Sequence, residues 1–248
     1  MKILDIDGPL ITLLSRMADM MWLTILTMIC SIPVFTIGAS LTALNYVALK
    51  MARNEEGYVT RSYFKAFKEN FGQATAIWLF FALIFGFLGA DYYIITKVGM
   101  EVSKIVQTLL LVVAVFAIFA FVMVWPVQAK FANTVRRTIF NAFAISVAQF
   151  PKTFLMIVLY AIPFLLWLFV QPLIPQLLPI LFVFWLSIPA FLSAKLYDKF
   201  FRTMEDKILA QQAENEETAE AAENTEDVDV RIFSDKTDES LNIGQNDQ

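Results

Sequence analysis

The chain has 248 residues, of which 58% are hydrophobic, 15% aromatic and 17% charged, with a formal net charge of −4. Soluble domains carry roughly 25% charged residues, so this composition points to lipid rather than water as the main solvent. Histidine is absent and Cys30 is the only cysteine, which excludes His-ligated metals, Ser-His-Asp or Cys-His catalysis, zinc fingers and internal disulfides.

The N-terminal stretch Met1-Lys2-Ile3-Leu4-Asp5-Ile6-Asp7-Gly8-Pro9 breaks too early for the apolar core of a cleavable signal, so the first helix reads as a retained anchor. Beyond it, four uncharged runs cover 20–49, 71–90, 105–129 and 153–194. A hydrocarbon core of about 30 Å takes roughly 20 helical residues. The first three runs each supply one span. The fourth supplies two, because Pro172, Pro175 and Pro179 interrupt it with turn chemistry. The expectation is an all-α membrane bundle of five helices over about 20–45, 71–93, 105–127, 153–171 and 176–194 within a 1–207 domain.

Loop charges orient that bundle. Thirteen basic residues fall in 50–70, 130–152 and 195–207, against four (Lys2, Arg16, Lys97, Lys104) in 1–19 and 91–104. The positive-inside rule then places the N-terminus outside and the C-terminus in the cytoplasm.

The first span contains Ser31, Pro33, Thr36, Gly38, Ser40 and Asn45. Pro33 removes a helix hydrogen bond, and the hydroxyls nearby can satisfy the freed carbonyls. Two readings of this stretch stand side by side. One is a broken helix lining a small polar site; the other is a kinked helix whose Gly38, Ala39 and Ser40 let a neighbour approach closely. No charged residue lies at a span centre, which disfavours proton-coupled transport through buried carboxylates. Uncharged polar residues, including Gln73 and Gln128, cluster near span ends.

Between the first two spans, Asn54 to Gly57 is a turn and Thr60 a candidate cap. Phe64, Phe67 and Phe71 then recur at helical spacing, with Arg61, Lys65 and Lys68 on another face. That pattern describes a basic amphipathic helix suited to anionic headgroups. A second basic segment carries Lys130, Arg136 and Arg137. Its residues 137–143 (Arg-Thr-Ile-Phe-Asn-Ala-Phe) align with 61–67 (Arg-Ser-Tyr-Phe-Lys-Ala-Phe), with five of seven pairs identical or Ser/Thr. The match suggests a parallel duplication, or convergent interfacial composition. Residues 208–248 hold twelve acidic and two basic residues, and read as a disordered acidic tail after helical continuation to about Gln212.

The stretch Ser31-Ile32-Pro33-Val34-Phe35-Thr36-Ile37-Gly38-Ala39, with Glu55-Glu56-Gly57-Tyr58, Phe64 to Phe71, Pro126 to Phe131 and Asn133 to Arg137, resembles the YesL-like family of bacterial integral membrane proteins. The resemblance spans about residues 8–200. It implies a multi-spanning protein of the bacterial plasma membrane, often encoded beside carbohydrate uptake and degradation systems, and implies no established activity.

The leading expectation is an accessory protein of carbohydrate uptake, embedded in the bilayer and docking to a transporter component through Arg61, Lys65, Lys68, Lys130, Arg136 and Arg137. A small transporter or channel lined by the first span is one alternative. A sensor or scaffold using the tail is another. No enzyme, cofactor, metal or nucleic-acid role is expected, since no phosphate loop, Gly-rich nucleotide fingerprint or ligand spacing is present. The sequence specifies no oligomeric state.

Overall fold

The computed structural model describes residues 9–55, 57–98, 103–131, 133–169 and 184–242. All regular structure among them is helical. The helices are α1 (Pro9–Cys30), a single 3-10 turn (Val34–Thr36), α2 (Ile37–Ala52), α3 (Val59–Tyr93) with a π-helical extension (Ile94–Val98), α4 (Lys104–Lys130), α5 (Val135–Ala148), α6 (Phe150–Phe169) and α7 (Ser187–Asn242). The chain divides into two units, Met1–Asp198 and Lys199–Gln248. Ile11–Cys30, Val34–Ala52, Val59–Lys97 and Lys104–Lys130 are each long and apolar enough to cross a membrane. A fifth span exists if Val135–Ala148 and Phe150–Ile162, bent by 101°, count as one. The expected turn at 171–179 and residues 176–183 of the expected 176–194 span lie outside the described residues; from Ser187 the rest of that span belongs to α7.

The first expected span, 20–45, is two helices. Pro9 stands at the first position of α1, where its missing N–H costs nothing. Cys30 ends α1, and the chain leaves the helix through Ser31 to Pro33. The Thr36 hydroxyl lies 2.6 Å from both the Cys30 and Pro33 carbonyl oxygens and can donate to either, the Pro33 carbonyl also accepting the Thr36 N–H at 2.9 Å. Past the break the chain reverses. The Arg16 guanidinium donates to Asn54 Oδ1, and Trp22 Nε1 donates to Thr60 Oγ1 at 2.8 Å.

Arg16 therefore sits at the same end as the α2–α3 turn, which corrects its expected placement across the membrane from 50–70. Proline interruption produced a hairpin rather than a kink. The charge asymmetry sharpens as a result, because among the described residues of the expected minority side only Lys97 and Lys104 remain there.

Asn54 closes α2 in the left-handed region, at φ 56°, a conformation that Asn tolerates better than most residues. The Glu55 N–H bonds the Lys50 carbonyl at 2.9 Å and the Asn54 N–H bonds that of Met51 at 3.3 Å, the paired closure of a Schellman motif. Tyr58, not Thr60, holds the N-cap position of α3; the Thr60 hydroxyl serves α1 instead. The buried face of α3 is Tyr63, Ala66, Ala74, Ile77 and Phe81. Phe64 and Phe71 point outward, as do Leu83 and Phe87 further along. Ile105, Leu109 and Leu111 give α4 the same apolar exterior, the surface expected of helices solvated by acyl chains.

The two sequence-similar segments diverge in length. α3 runs on for 35 residues, whereas α5 stops after 14. Pro151 follows closely behind Gln149, and its ring and missing N–H forbid continuation of the preceding helix. The two segments share a local pattern, but the second is bent by 101° between α5 and α6 where α3 runs on as one helix. The acidic segment also departs from expectation: helix continues past Gln212 to Asn242, in a composition whose many Ala, Glu and Gln residues favour helix intrinsically.

Candidate functional site

Two polar regions occupy the bundle interior. The first surrounds the α1–α2 break. Thr36, Ser40, Thr42 and Asn45 are all buried. Their side chains are mostly spent on their own chain: Thr42 Oγ1 donates to the Gly38 carbonyl at 2.9 Å, and Asn45 Nδ2 to that of Leu41 at 2.8 Å. Ser31 is half-buried at the break beside Pro33.

Gly38 marks the closest approach of α2 to α3. A Cβ there would lie 2.3 Å from the Ala74 carbonyl oxygen and 2.8 Å from Trp78 Cβ. Tyr63, fully buried, turns its hydroxyl toward Ser40, Thr27 and Cys30. Neither Tyr63 Oη nor Ser40 Oγ closes a hydrogen bond of good geometry. This region works as a close-packed helix crossing, with its hydroxyls satisfying carbonyls freed at the break. Tyr63 escaped sequence reading because the neighbouring Phe64, Phe67 and Phe71 formed the more conspicuous stripe.

The second region lies where α2, α3 and α4 meet the turn before α5. Gln128, 3% exposed, donates from Nε2 to Gln73 Oε1 at 2.9 Å and to Asn70 Oδ1 at 3.2 Å. Asn70 Nδ2 in turn donates to the Ala66 carbonyl at 3.0 Å. Gln128 Oε1 is buried without a donor. These amides border a cavity of about 700 Å³, which Tyr46, Glu69, Lys130 and Asn133 help to line. That volume falls in the roughly 300–1,000 Å³ range of small-molecule sites.

An unpaired buried amide oxygen is costly, and the residue that carries it also lines the cavity. The walls combine amides, the Tyr46 and Phe131 rings, one carboxylate and one ammonium. Such a set suits a neutral, polyhydroxylated solute better than an ion or an apolar one. Gln73 and Gln128 stood out in the sequence only as polar residues near span ends. Their meeting required the antiparallel register of α3 and α4, which Phe121 fixes by packing against Trp78, Phe81 and Phe85.

Of the expected basic surface, Arg61, Lys65 and Lys68 project from the outer face of α3, and Lys65 makes an exposed contact with Glu69 at 3.9 Å. Arg136 and Arg137 are exposed at the start of α5, whereas Lys130 is half-buried at the cavity. The structure thus distributes the two basic sets over different helices of the bundle.

A bundle of long apolar helices with a lipid-facing exterior and a polar cavity defines a multi-pass helical membrane protein. Residues 17–92, from within α1 to near the end of α3, match the family model described as "Protein of unknown function, DUF624". No curated protein and no solved structure matches the chain.

Proposed function

We propose that the chain is a YesL-like, non-enzymatic protein of the bacterial plasma membrane, which assists carbohydrate uptake by holding a neutral sugar in the Gln73–Gln128 cavity. The observation carrying this reading is the cavity itself, about 700 Å³ and lined by the side-chain amides of Asn70, Gln73, Gln128 and Asn133 together with Tyr46 and Phe131. Sugar hydroxyls both donate and accept, so one ligand could exchange hydrogen bonds with the wall amides while stacking on Tyr46 or Phe131. Lys130 lines the cavity, at the end that the positive-inside rule assigns to the cytoplasm. The basic residues Arg61, Lys65, Lys68, Lys130, Arg136 and Arg137 would dock a transporter component, a reading motivated by their place on the basic end of the bundle together with the family context.

The test is ligand-dependent thermal stability of the purified protein against a panel of neutral mono- and oligosaccharides. At least one sugar should raise the melting temperature of the wild type at millimolar concentration and leave Gln128→Leu unmoved. A flat response across the panel would overturn the reading. Co-purification from native membranes tests the partner separately, and recovery without any transporter component would remove that half of the proposal.

A further inference from the structure

A second cavity, separate from the amide site, opens between the middle of α3, the middle of α4 and α5. Its volume is about 840 Å³. Phe80 and Ile84 of α3, Phe116 and Ala117 of α4, and Phe140 and Phe143 of α5 form its apolar walls, and the one charged residue lining it is Arg136. Phe116 and Phe143 pack at a centroid distance of 5.8 Å, while Val135 and Arg136 begin the helix on the same cavity. The groove therefore follows α5 from a guanidinium into aromatic and aliphatic walls. Arg136 and Arg137 are both exposed, and neither has an acidic partner among the described residues.

We propose that this groove binds one anionic phospholipid, with an acyl chain along Phe116, Phe140 and Phe143 and the phosphate on Arg136, assisted by Arg137. The walls belong to helices whose outer surfaces are apolar and exposed, so hydrocarbon is the medium that meets the groove. A second copy presenting its apolar helix exterior to the groove would leave Arg136 without a counter-charge, which is unfavourable. A zwitterionic lipid would fill the groove but bring a cation toward two arginines. Arg137 does not line the groove and acts on the headgroup only, so the two arginines set lipid class while the phenylalanines set chain occupancy.

Native mass spectrometry of the full chain, released from mild detergent containing equal amounts of phosphatidylglycerol and phosphatidylcholine, separates these contributions. The wild type should carry phosphatidylglycerol in roughly fivefold excess or more, the scale set by one basic residue beside anionic lipid. Arg136→Gln/Arg137→Gln should bring the two lipids to parity, and Arg136→Lys/Arg137→Lys should restore the excess. Ala117→Phe, which fills the groove, should lose both adducts while helical content stays unchanged. Equal retention of the two lipids by the wild type would overturn the proposal. So would an excess that survives the Gln pair, or a lipid-free dimer that Ala117→Phe dissociates. Should the Gln pair fail to fold, retention of the excess by the Lys pair together with loss of both adducts in Ala117→Phe still decides the question.

Discussion

The α2–α3 and α4–α5 hairpins enter their second helices with nearly the same seven residues, yet one is closed and the other open. Equivalent positions even face alike: Ala66 and Ala142 are buried, while Phe64 and Phe140 are exposed. What differs is the company each hairpin keeps. In the first, α1 folds back and bonds both the turn and the start of α3, and Arg53 Nε donates to Asp198 Oδ1 at 2.6 Å, tying α2 to α7. In the second, no such strap lies across α5 among the described residues, and a groove bordered by Arg136 remains. Local pattern set which side of each helix turns inward; the surrounding helices decided whether anything filled the space.

The largest contrast should come from added volume. Gly38→Ala places a methyl group against the Ala74 backbone, which cannot yield without parting α2 from α3, and should cost about 3 kcal/mol or more in thermal unfolding. Gly86→Ala, with open space around it, should be neutral or slightly stabilising. Ala43→Leu in the closed hairpin should cost about 2–3 kcal/mol, whereas Ala117→Leu at the open groove should stay within about 1 kcal/mol. Similar losses at Ala43 and Ala117 would erase the distinction between the hairpins.

A charge deletion ranks next. Arg53→Ala removes the 2.6 Å ion pair to Asp198, whose side chain is only 23% exposed, and should cost about 1–2 kcal/mol. The smallest effect belongs to the surface pair: Lys65→Ala should change stability by less than about 0.5 kcal/mol, since Lys65 and Glu69 are each more than half exposed. A loss at Lys65 rivaling that at Arg53 would place α3's basic face in a packed interface instead of a free one.

Much of this was legible in the residues. Long uncharged runs identified α3 and α4, and charge asymmetry singled out the ends where Lys97 and Lys104 stand apart. The α1–α2 hairpin was missed because Asp19 and Arg16 ended the uncharged run early, hiding the first turns of α1. Pro33 then fits a kink and a break equally well by local rules. The amide cavity was hidden for another reason. Gln73 and Gln128 are 55 residues apart, and only the antiparallel pairing of α3 and α4 brings them together. Helix period tells which face a residue occupies, but not which residue of another helix stands opposite.

The central structural claim is that α1 and α2 form an antiparallel hairpin, so that the start of α1 shares a side with the α2–α3 turn. Single cysteines at Ser15, Gly57 and Thr96, in a Cys30→Ser background and labelled from each face of intact membrane vesicles, test it most directly. The account predicts that positions 15 and 57 react from one face and position 96 from the other. Labelling of position 15 from the same face as position 96 would contradict it.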